Sequence, residues 1–443
     1  MDNVPLLRNP TVARIVASAM QGGMRLGAGR MAAASAARFP EYPGGPELLE
    51  APTPFGTTEL RIFRPAGGPA TMPPVYVNFH GGGYVMDLTV MDDALCRVVA
   101  AVSGAVVVNA PYVVAPRHPF PAPVEHAFSI VGWVAGHGAQ HGWDGERLAV
   151  GGQSAGGGLA AAVARLAFER GGPELRLQVL HYPPLDLTVP ARLKHSPLRR
   201  PVLRPWMGEV FDAAYAPDPA TRADRLISPA SAADTADLTG IAPAVVITAA
   251  NDILREEGGR YAQRLREVGA LVAHREIPGA DHGYDGTDDA LALASYRAIG
   301  ADLSRALAGS PRPIRAASAT ILDEQGRVLL VLRGFEPGKG RWSVPGGRCE
   351  PEETLAETAA REVLEETGLQ VEVGEELWAV VIPAGHGRVF EARNFAAKVT
   401  GGELTPGDDA DDARWVADAE LDSLPLTHDL AGHLRRAGVF SRD

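Results

Sequence analysis

The tightest constraint on this chain lies near its end, in residues 347–369. Gly347 is followed after five residues by Glu353, and seven residues later comes the run Arg361-Glu362-Val363-Leu364-Glu365-Glu366-Thr367-Gly368-Leu369. From about Glu352 to Glu366 the residues are good helix formers, with Pro351 near the start and Gly368 suited to a left-handed cap at the end. On such a helix Glu362, Glu365 and Glu366 fall at i, i+3 and i+4 and share one face. Three carboxylates facing one way repel one another unless they hold cations. Oxygen ligands in that number suit Mg2+ or Mn2+ bridging to a diphosphate. Arg361 is placed to orient a carboxylate, and Glu353 reads as a supporting group. An isolated acidic helix face is ordinarily just solvated; the fixed glycine, glutamate and arginine positions set this one apart.

From about residue 75 to 300 strand-like and helix-like runs alternate. PVYVNFH, GAVVVNAPY, RLAVGG, LQVLHYP and APAVVITAAND read as strands; DDALCRVVAAVSG and GGGLAAAVARLAFERGG read as helices. This alternation predicts an α/β domain with a mostly parallel sheet covered on both faces. Residues 187–225 are rich in Pro and Arg and interrupt the pattern. With residues 1–50 they are expected to form a lid. SYRAIGADLSRALAG closes the first domain, assigned to 1–309. Residues 310–313 (Ser-Pro-Arg-Pro) form a short stiff linker to a second domain, 314–443. The second domain opens with IRAASATILDEQGRVLLVLRG, expected to be a hairpin around Asp323–Gly326.

Three signals converge in the first domain. Gly152-Gln153-Ser154-Ala155-Gly156 is a GxSxG between a strand and a helix, where a tight turn presents a serine. His80-Gly81-Gly82-Gly83 ends an earlier strand, and the N–H groups of Gly82, Gly83 and Ala155 are candidates for an oxyanion hole. Asp252 ends a strand and His282 follows another, giving the order Ser154, Asp252, His282. His80 is expected to brace its loop rather than act as a base.

HGGGYV, PYVVAPRHPFPAPVEHAFSIVGWV, GGQSAGGGLA, NDILREEGGRYAQRLREVG and PGADHGY occur in that order over roughly residues 70–300. They resemble the hormone-sensitive-lipase family of α/β-hydrolase esterases. The resemblance implies Ser154 as nucleophile, His282 as general base, Asp252 as its partner, and acyl-enzyme chemistry on carboxylic esters with no cofactor. Two positions depart from the family pattern: Gln153 stands where Asp is usual before the serine, and Arg117 replaces an acid in YVVAPR.

Residues 347–369 match the Nudix box at every fixed position, and the likeness to that family covers roughly 312–440, including GRWSVPGG and ARWV. It implies an α/β/α sandwich and attack of metal-activated water on a nucleoside diphosphate linked to a further group. Glu362, Glu365 and Glu366 would bind Mg2+ or Mn2+, with Glu365 and Glu366 also catalytic. Gly347, Glu353 and Arg361 would support them. Pro383 lies where ADP-ribose hydrolases tend to carry a proline, which favours an ADP-ribose-like substrate. Asp411 and Asp412 read as a solvated loop or as a further ligand or base. The competing reading is an esterase joined to a Nudix module that senses a nucleotide without cleaving it.

A formal net charge of −12 argues against a broad nucleic-acid footprint and leaves small-molecule ester and nucleotide substrates. No run of 18 uncharged apolar residues is present, so no membrane span is expected. The first 40 residues are Arg- and Ala-rich and nearly free of acid, as in some presequences. However, Lys occurs only at 194, 339 and 398, so the Arg bias is global and fits a GC-rich bacterial genome. Two cysteines, Cys96 and Cys349, fall in separate domains and read as free thiols in a reducing, cytoplasmic setting.

Overall fold

Neighbouring residues in the central strands go to opposite sides of one sheet, and both sides are buried. The structure, a computed structural model, describes residues 5–65, 72–308, 314–334, 339–350, 353–385, 388–407, 410–427 and 429–440. It divides into two units, Met1–Gly309 and Ser310–Asp443. The linker expected at 310–313 lies outside the described residues.

The first unit holds eight strands: β1 (Glu47–Thr53), β2 (Gly56–Phe63), β3 (Pro74–Phe79), β4 (Val106–Ala110), β5 (Asp144–Gln153), β6 (Leu177–His181), β7 (Ala244–Ala249) and β8 (Leu271–Ile277). Their order in the sheet is β1-β2-β4-β3-β5-β6-β7-β8. The β1/β2 and β2/β4 pairs are antiparallel, and the rest are parallel. The helices are α1 (Pro10–Ala37), α2 (Asp93–Ser103), α3 (Ala122–Gly136), α4 (Gly138–His141), α5 (Ala155–Glu169), α6 (Pro205–Tyr215), α7 (Arg255–Glu267) and α8 (Asp289–Ala306). Val75, Val77, Val106, Val108, Leu148 and Val150 pack with α3, α5 and α7. Tyr76, Val107, Ala149, Val179 and Val245 pack with α2 and α8. Burial on both faces explains the unbroken apolar runs. The edge strand β8 alternates half-buried and exposed residues instead.

The lid expectation needs one correction. Residues 10–37 form α1, which packs on α6 from the Pro- and Arg-rich insertion. Residues 47–53 are not part of it. They pair with β2 through a tight turn at Pro54 and Phe55 and extend the sheet. Backbone pairing with Thr57–Ile62 gives this stretch a ladder that the first-50-residue boundary overlooked.

The second unit contains β9 (Ile314–Ile321), β10 (Val328–Arg333), β11 (Trp342–Ser343), β12 (Gly346–Arg348), α9 (Leu355–Thr367), β13 (Leu369–Gly385), β14 (Arg388–Gly402), β15 (Ala410–Val416), α10 (Asp418–Leu421) and α11 (Leu430–Arg436). Two sheets form, β11-β10-β15 and β12-β9-β14-β13. The expected hairpin is therefore only a hairpin turn. Asp323 N–H bonds the Arg327 carbonyl and Leu322 bridges Val328, but the arms then diverge into different sheets. Each arm packs its own core: Ala317, Ala319 and Ile321 against Ala359 and Val363 of α9, and Val328 and Leu330 against Val416, Leu421 and Leu434.

Helix α9 starts at Leu355, about three residues later than expected, because Thr354 caps it. The Thr354 hydroxyl accepts the Glu357 N–H, and the Glu357 carboxylate accepts the Thr354 N–H at 2.8 Å. Pro351 lies outside the described residues. Gly368 ends the helix in the left-handed region at φ 70°.

Candidate active sites

β5 runs into α5 through Ser154, whose φ of 51° and ψ of −121° are forbidden to most L-residues. The turn holds because Gly156 lies against the Phe79 carbonyl with no room for a side chain. Ser154 is thus lifted above the sheet at the carboxyl ends of its strands, where α/β sheets commonly bind ligands. Its Oγ is 2.9 Å from His282 Nε2, and His282 Nδ1 is 2.6 Å from Asp252 Oδ2. The Asp252 carboxylate is 1% exposed, and its Oδ1 also accepts the Leu254 N–H at 3.0 Å. Asp252 holds the imidazole so that Nε2 faces the serine. Burial pushes the His282 pKa down, but the charge and hydrogen bond of Asp252, aided by Asp281 and Asp285, outweigh it and leave the pKa raised.

The glycine loop lies beside this relay. Gly81 packs against the Gln153 carbonyl and the Ser154 Cβ, and Gly82 and Gly83 take φ of 114° and 61°. Val85 and Met86 both donate to the Gly82 carbonyl. None of the hydrogen bonds among the described residues outside helices and strands takes up the N–H of Gly82, Gly83 or Ala155. His80 is fully buried, stacks on Tyr112 at 4.3 Å and lies with Nδ1 2.6 Å from the Gly81 carbonyl. Burial lowers its pKa, against the raising effect of Asp87. Arg117 is exposed.

Sequence reasoning missed the layer behind His282. Tyr182, at φ 38°, packs edge-on against the His282 ring at 5.0 Å. Its hydroxyl donates to buried Asp285 at 2.5 Å and lies 3.0 Å from the Gln153 side chain. Tyr296 donates to the other Asp285 oxygen at 2.9 Å. The signal was available: Tyr182 directly follows a fully buried strand, at the sheet level where β5 ends in Gln153.

In the second unit the box residues gather around Arg361. Its Nε donates to Glu353 Oε1 at 2.8 Å and its Nη2 to Glu353 Oε2 at 3.1 Å and to the Arg348 carbonyl at 3.0 Å. Its Nη1 reaches Glu362 at 2.9 Å and Glu365 at 2.8 Å. These bonds to Arg361 lead the causes that hold the Glu353 carboxyl at about 2. Glu366 is 8% exposed and accepts the Gly346 N–H at 2.9 Å. A side chain at Gly347 would meet the Glu362 carboxylate and displace it. Glu353 thus holds Arg361 through both carboxylate oxygens.

Three hard oxygen donors on one helical turn fit Mg2+ or Mn2+ by donor chemistry. Among the described residues, however, no three acidic, histidine or thiol groups are gathered closely enough to cage an ion. Arg361 bridges two of the three instead. Asp411 and Asp412 are exposed, and Asp412 accepts its neighbour's Ala413 N–H, so the solvated reading fits both. Pro383 lies in β13, but its side chain is outside the described residues.

Two families match the chain. A family model described as alpha/beta hydrolase fold matches residues 76–285, and one described as NUDIX domain matches residues 312–436. Esterase LipI of Mycobacterium tuberculosis is 36% identical over 263 residues, covering 56% of this chain and 78% of the relative. An ethyl acetate hydrolase of Pseudomonas putida is 33% identical over 239 residues, covering 52% and 71%. Among solved structures, a hyperthermophilic esterase from Pyrobaculum calidifontis has TM-score 0.58 at 32% identity, covering 70% of this chain and all of that one. A thermostable esterase from Pseudomonas putida has TM-score 0.56 at 31% identity, covering 70% and 93%.

Proposed function

This chain belongs to the α/β-hydrolase esterases of the hormone-sensitive-lipase type and carries a Nudix domain behind them; from that membership we propose a hydrolase with two separate active sites. In the first, Ser154 Oγ attacks the carbonyl carbon of a carboxylic ester. His282 Nε2 takes the hydroxyl proton and later delivers it to the leaving alcohol. Asp252 stabilises the imidazolium formed between these steps. The N–H groups of Gly82, Gly83 and Ala155 receive the oxyanion, assisted by the α5 N-terminus. Water activated by the same histidine then releases the acid. The observation that carries this reading is the continuous Ser154–His282–Asp252 relay, at 2.9 and 2.6 Å, on a strained serine.

For the second site we propose cleavage of a nucleoside diphosphate linked to another group, with ADP-ribose-like compounds first in order. Glu362, Glu365 and Glu366 would hold Mg2+ or Mn2+, which supplies an activated water and neutralises phosphate charge when bound. Arg361, fixed by Glu353, orients Glu362 and Glu365, and Gly347 leaves the Glu362 carboxylate its space. The bridge from Arg361 to both glutamates favours one alternative, a module that binds a nucleotide without hydrolysing it. Free Cys96 and Cys349 suit a reducing cytoplasm, and no helix among the described residues is long and apolar enough to cross a membrane.

The test is a panel of ADP-ribose, NADH, nucleotide sugars and oxidised nucleoside triphosphates with Mg2+, run beside p-nitrophenyl butyrate. Nucleotide turnover lost in Glu365→Gln/Glu366→Gln but kept in Ser154→Ala supports two working sites. Tight nucleotide binding without turnover would make the second domain a sensor.

A further inference from the structure

Residues 194–204, in the insertion after β6, bury one apolar side chain, Leu203, while Val202 and neighbouring Leu193 are largely exposed and Leu198 partly so. Three polar ties also hold the stretch. Lys194 Nζ pairs with buried Glu257 at 2.5 Å. The Ser196 hydroxyl donates to the Asn251 carbonyl at 2.5 Å, on the residue before Asp252. The Val202 N–H donates to Asp281 Oδ2 at 2.7 Å, on the residue before His282. The other Asp281 oxygen, Oδ1, accepts the N–H of His282 itself at 2.7 Å. Two of the three ties therefore end on the loops that carry the base and its carboxylate, and one runs through a single side chain into the backbone of the base.

We propose that Asp281 is a positioning residue that couples the insertion after β6 to His282, the base of the proposed ester hydrolysis. One carboxylate oxygen fixes the backbone of the insertion at Val202, and the other fixes the backbone of His282. If the insertion shifts to admit or release substrate, Asp281 carries the shift to the imidazole. Conversely, a seated insertion holds Asp281 where both bonds form. The inference rests on the reading of His282 as the base. Among the described residues, the charged or titratable side chains around His282 are Asp252 from the end of β7, His181 and Tyr182 from the end of β6, and Asp281 and Asp285 on its own loop. Asp281 also adds negative charge near the imidazole, one of the causes that raise its pKa. A residue that merely closed a turn would bond His282 or its own loop, and would need no bond to Val202, 79 positions away.

The experiment measures p-nitrophenyl butyrate hydrolysis by the full chain across pH for Asp281→Asn, Asp281→Ala and Ser154→Ala, with folding checked by thermal melting. Asp281→Ala is expected to lower kcat/KM roughly ten-fold, the scale of one charge-assisted hydrogen bond, with more of the loss in KM than in kcat. Its acid limb should move to lower pH, because a negative neighbour of the base is gone. Asp281→Asn, which keeps one acceptor, should fall between Ala and the unmodified chain. Unchanged KM and an unchanged acid limb in both folded variants overturn the coupling. Hydrogen exchange on the unmodified chain decides the case where the variants do not fold. The Val202 amide must then exchange far more slowly than the exposed neighbours Arg199 and Arg200; equal rates overturn the proposal. Persistent hydrolysis by Ser154→Ala would instead remove the serine reading on which it rests.

Discussion

The two sites of this chain are built to different degrees of completion. Around Ser154 the reacting groups already stand at hydrogen-bond distance, and the serine backbone is held in a strained conformation by its neighbours. Around Glu362, Glu365 and Glu366 the carboxylates share a helical turn, but two of them, Glu362 and Glu365, converge on an arginine. The contrast follows from the chemistry each needs. A proton relay works only with its partners aligned beforehand, so the cost of alignment is met during folding. Carboxylates crowded on one helical turn lower their mutual repulsion by resting on a cation the protein supplies, here Arg361.

The largest effect that would sharpen this contrast is Ser154→Ala. It should lower ester hydrolysis by about 10⁴-fold or more and leave nucleotide turnover unchanged. Glu365→Gln/Glu366→Gln should do the reverse, lowering Mg2+-dependent nucleotide turnover by at least ~100-fold, a scale already seen when groups supporting a metal are lost. Equal damage to both activities by either variant would break the picture of independent sites.

Gly347→Ala comes next. The added methyl pushes on the Glu362 carboxylate, so nucleotide turnover should fall by about ten-fold or more, with the Mg2+ requirement shifted to higher concentration and ester hydrolysis untouched. An unaltered Mg2+ titration would show that Glu362 is not a ligand.

A pH profile separates the sites in a different way. The folded pKa of His282 is raised above the ordinary histidine value, and only the neutral imidazole accepts the serine proton. Ester kcat/KM should therefore fall as pH drops through that raised pKa. For stability the sign is opposite. The contribution of protonated His282 is fully present below the unfolded pKa and is lost as pH rises through the folded one. Asp252→Asn should move the acid limb down while lowering the rate. The smallest effect is expected from Thr354→Ala, which removes the α9 cap and should cost about 1 kcal/mol of stability in the second unit alone, read as a lower melting transition with ester hydrolysis retained.

Much of this was legible in the chain itself. The alternation of apolar strands and helices announced a parallel sheet because burial on both faces removes the polar half of each strand. Ser154, Asp252 and His282 were identifiable because each sits at the carboxyl end of a strand or just beyond it. Glu362, Glu365 and Glu366 were identifiable as a group because a helix turns their spacing into a shared face. The hairpin at Asp323 was misread in part, since a turn signal is local and cannot say which sheet each arm will join.

The sequence by itself determined the two candidate-site patterns and their order, because each depends on residue type and on short spacings that strand and helix geometry convert directly into position. Only the tertiary structure decided the supports: Tyr182 and Asp285 behind the base, Asp281 between Val202 and His282, and Arg361 across Glu362 and Glu365. Most of these contacts join residues far apart in the chain, or depend on which way a side chain turns once its neighbours are packed. No periodicity or local preference encodes such a pairing, and it exists only after the sheet has brought its strand ends together.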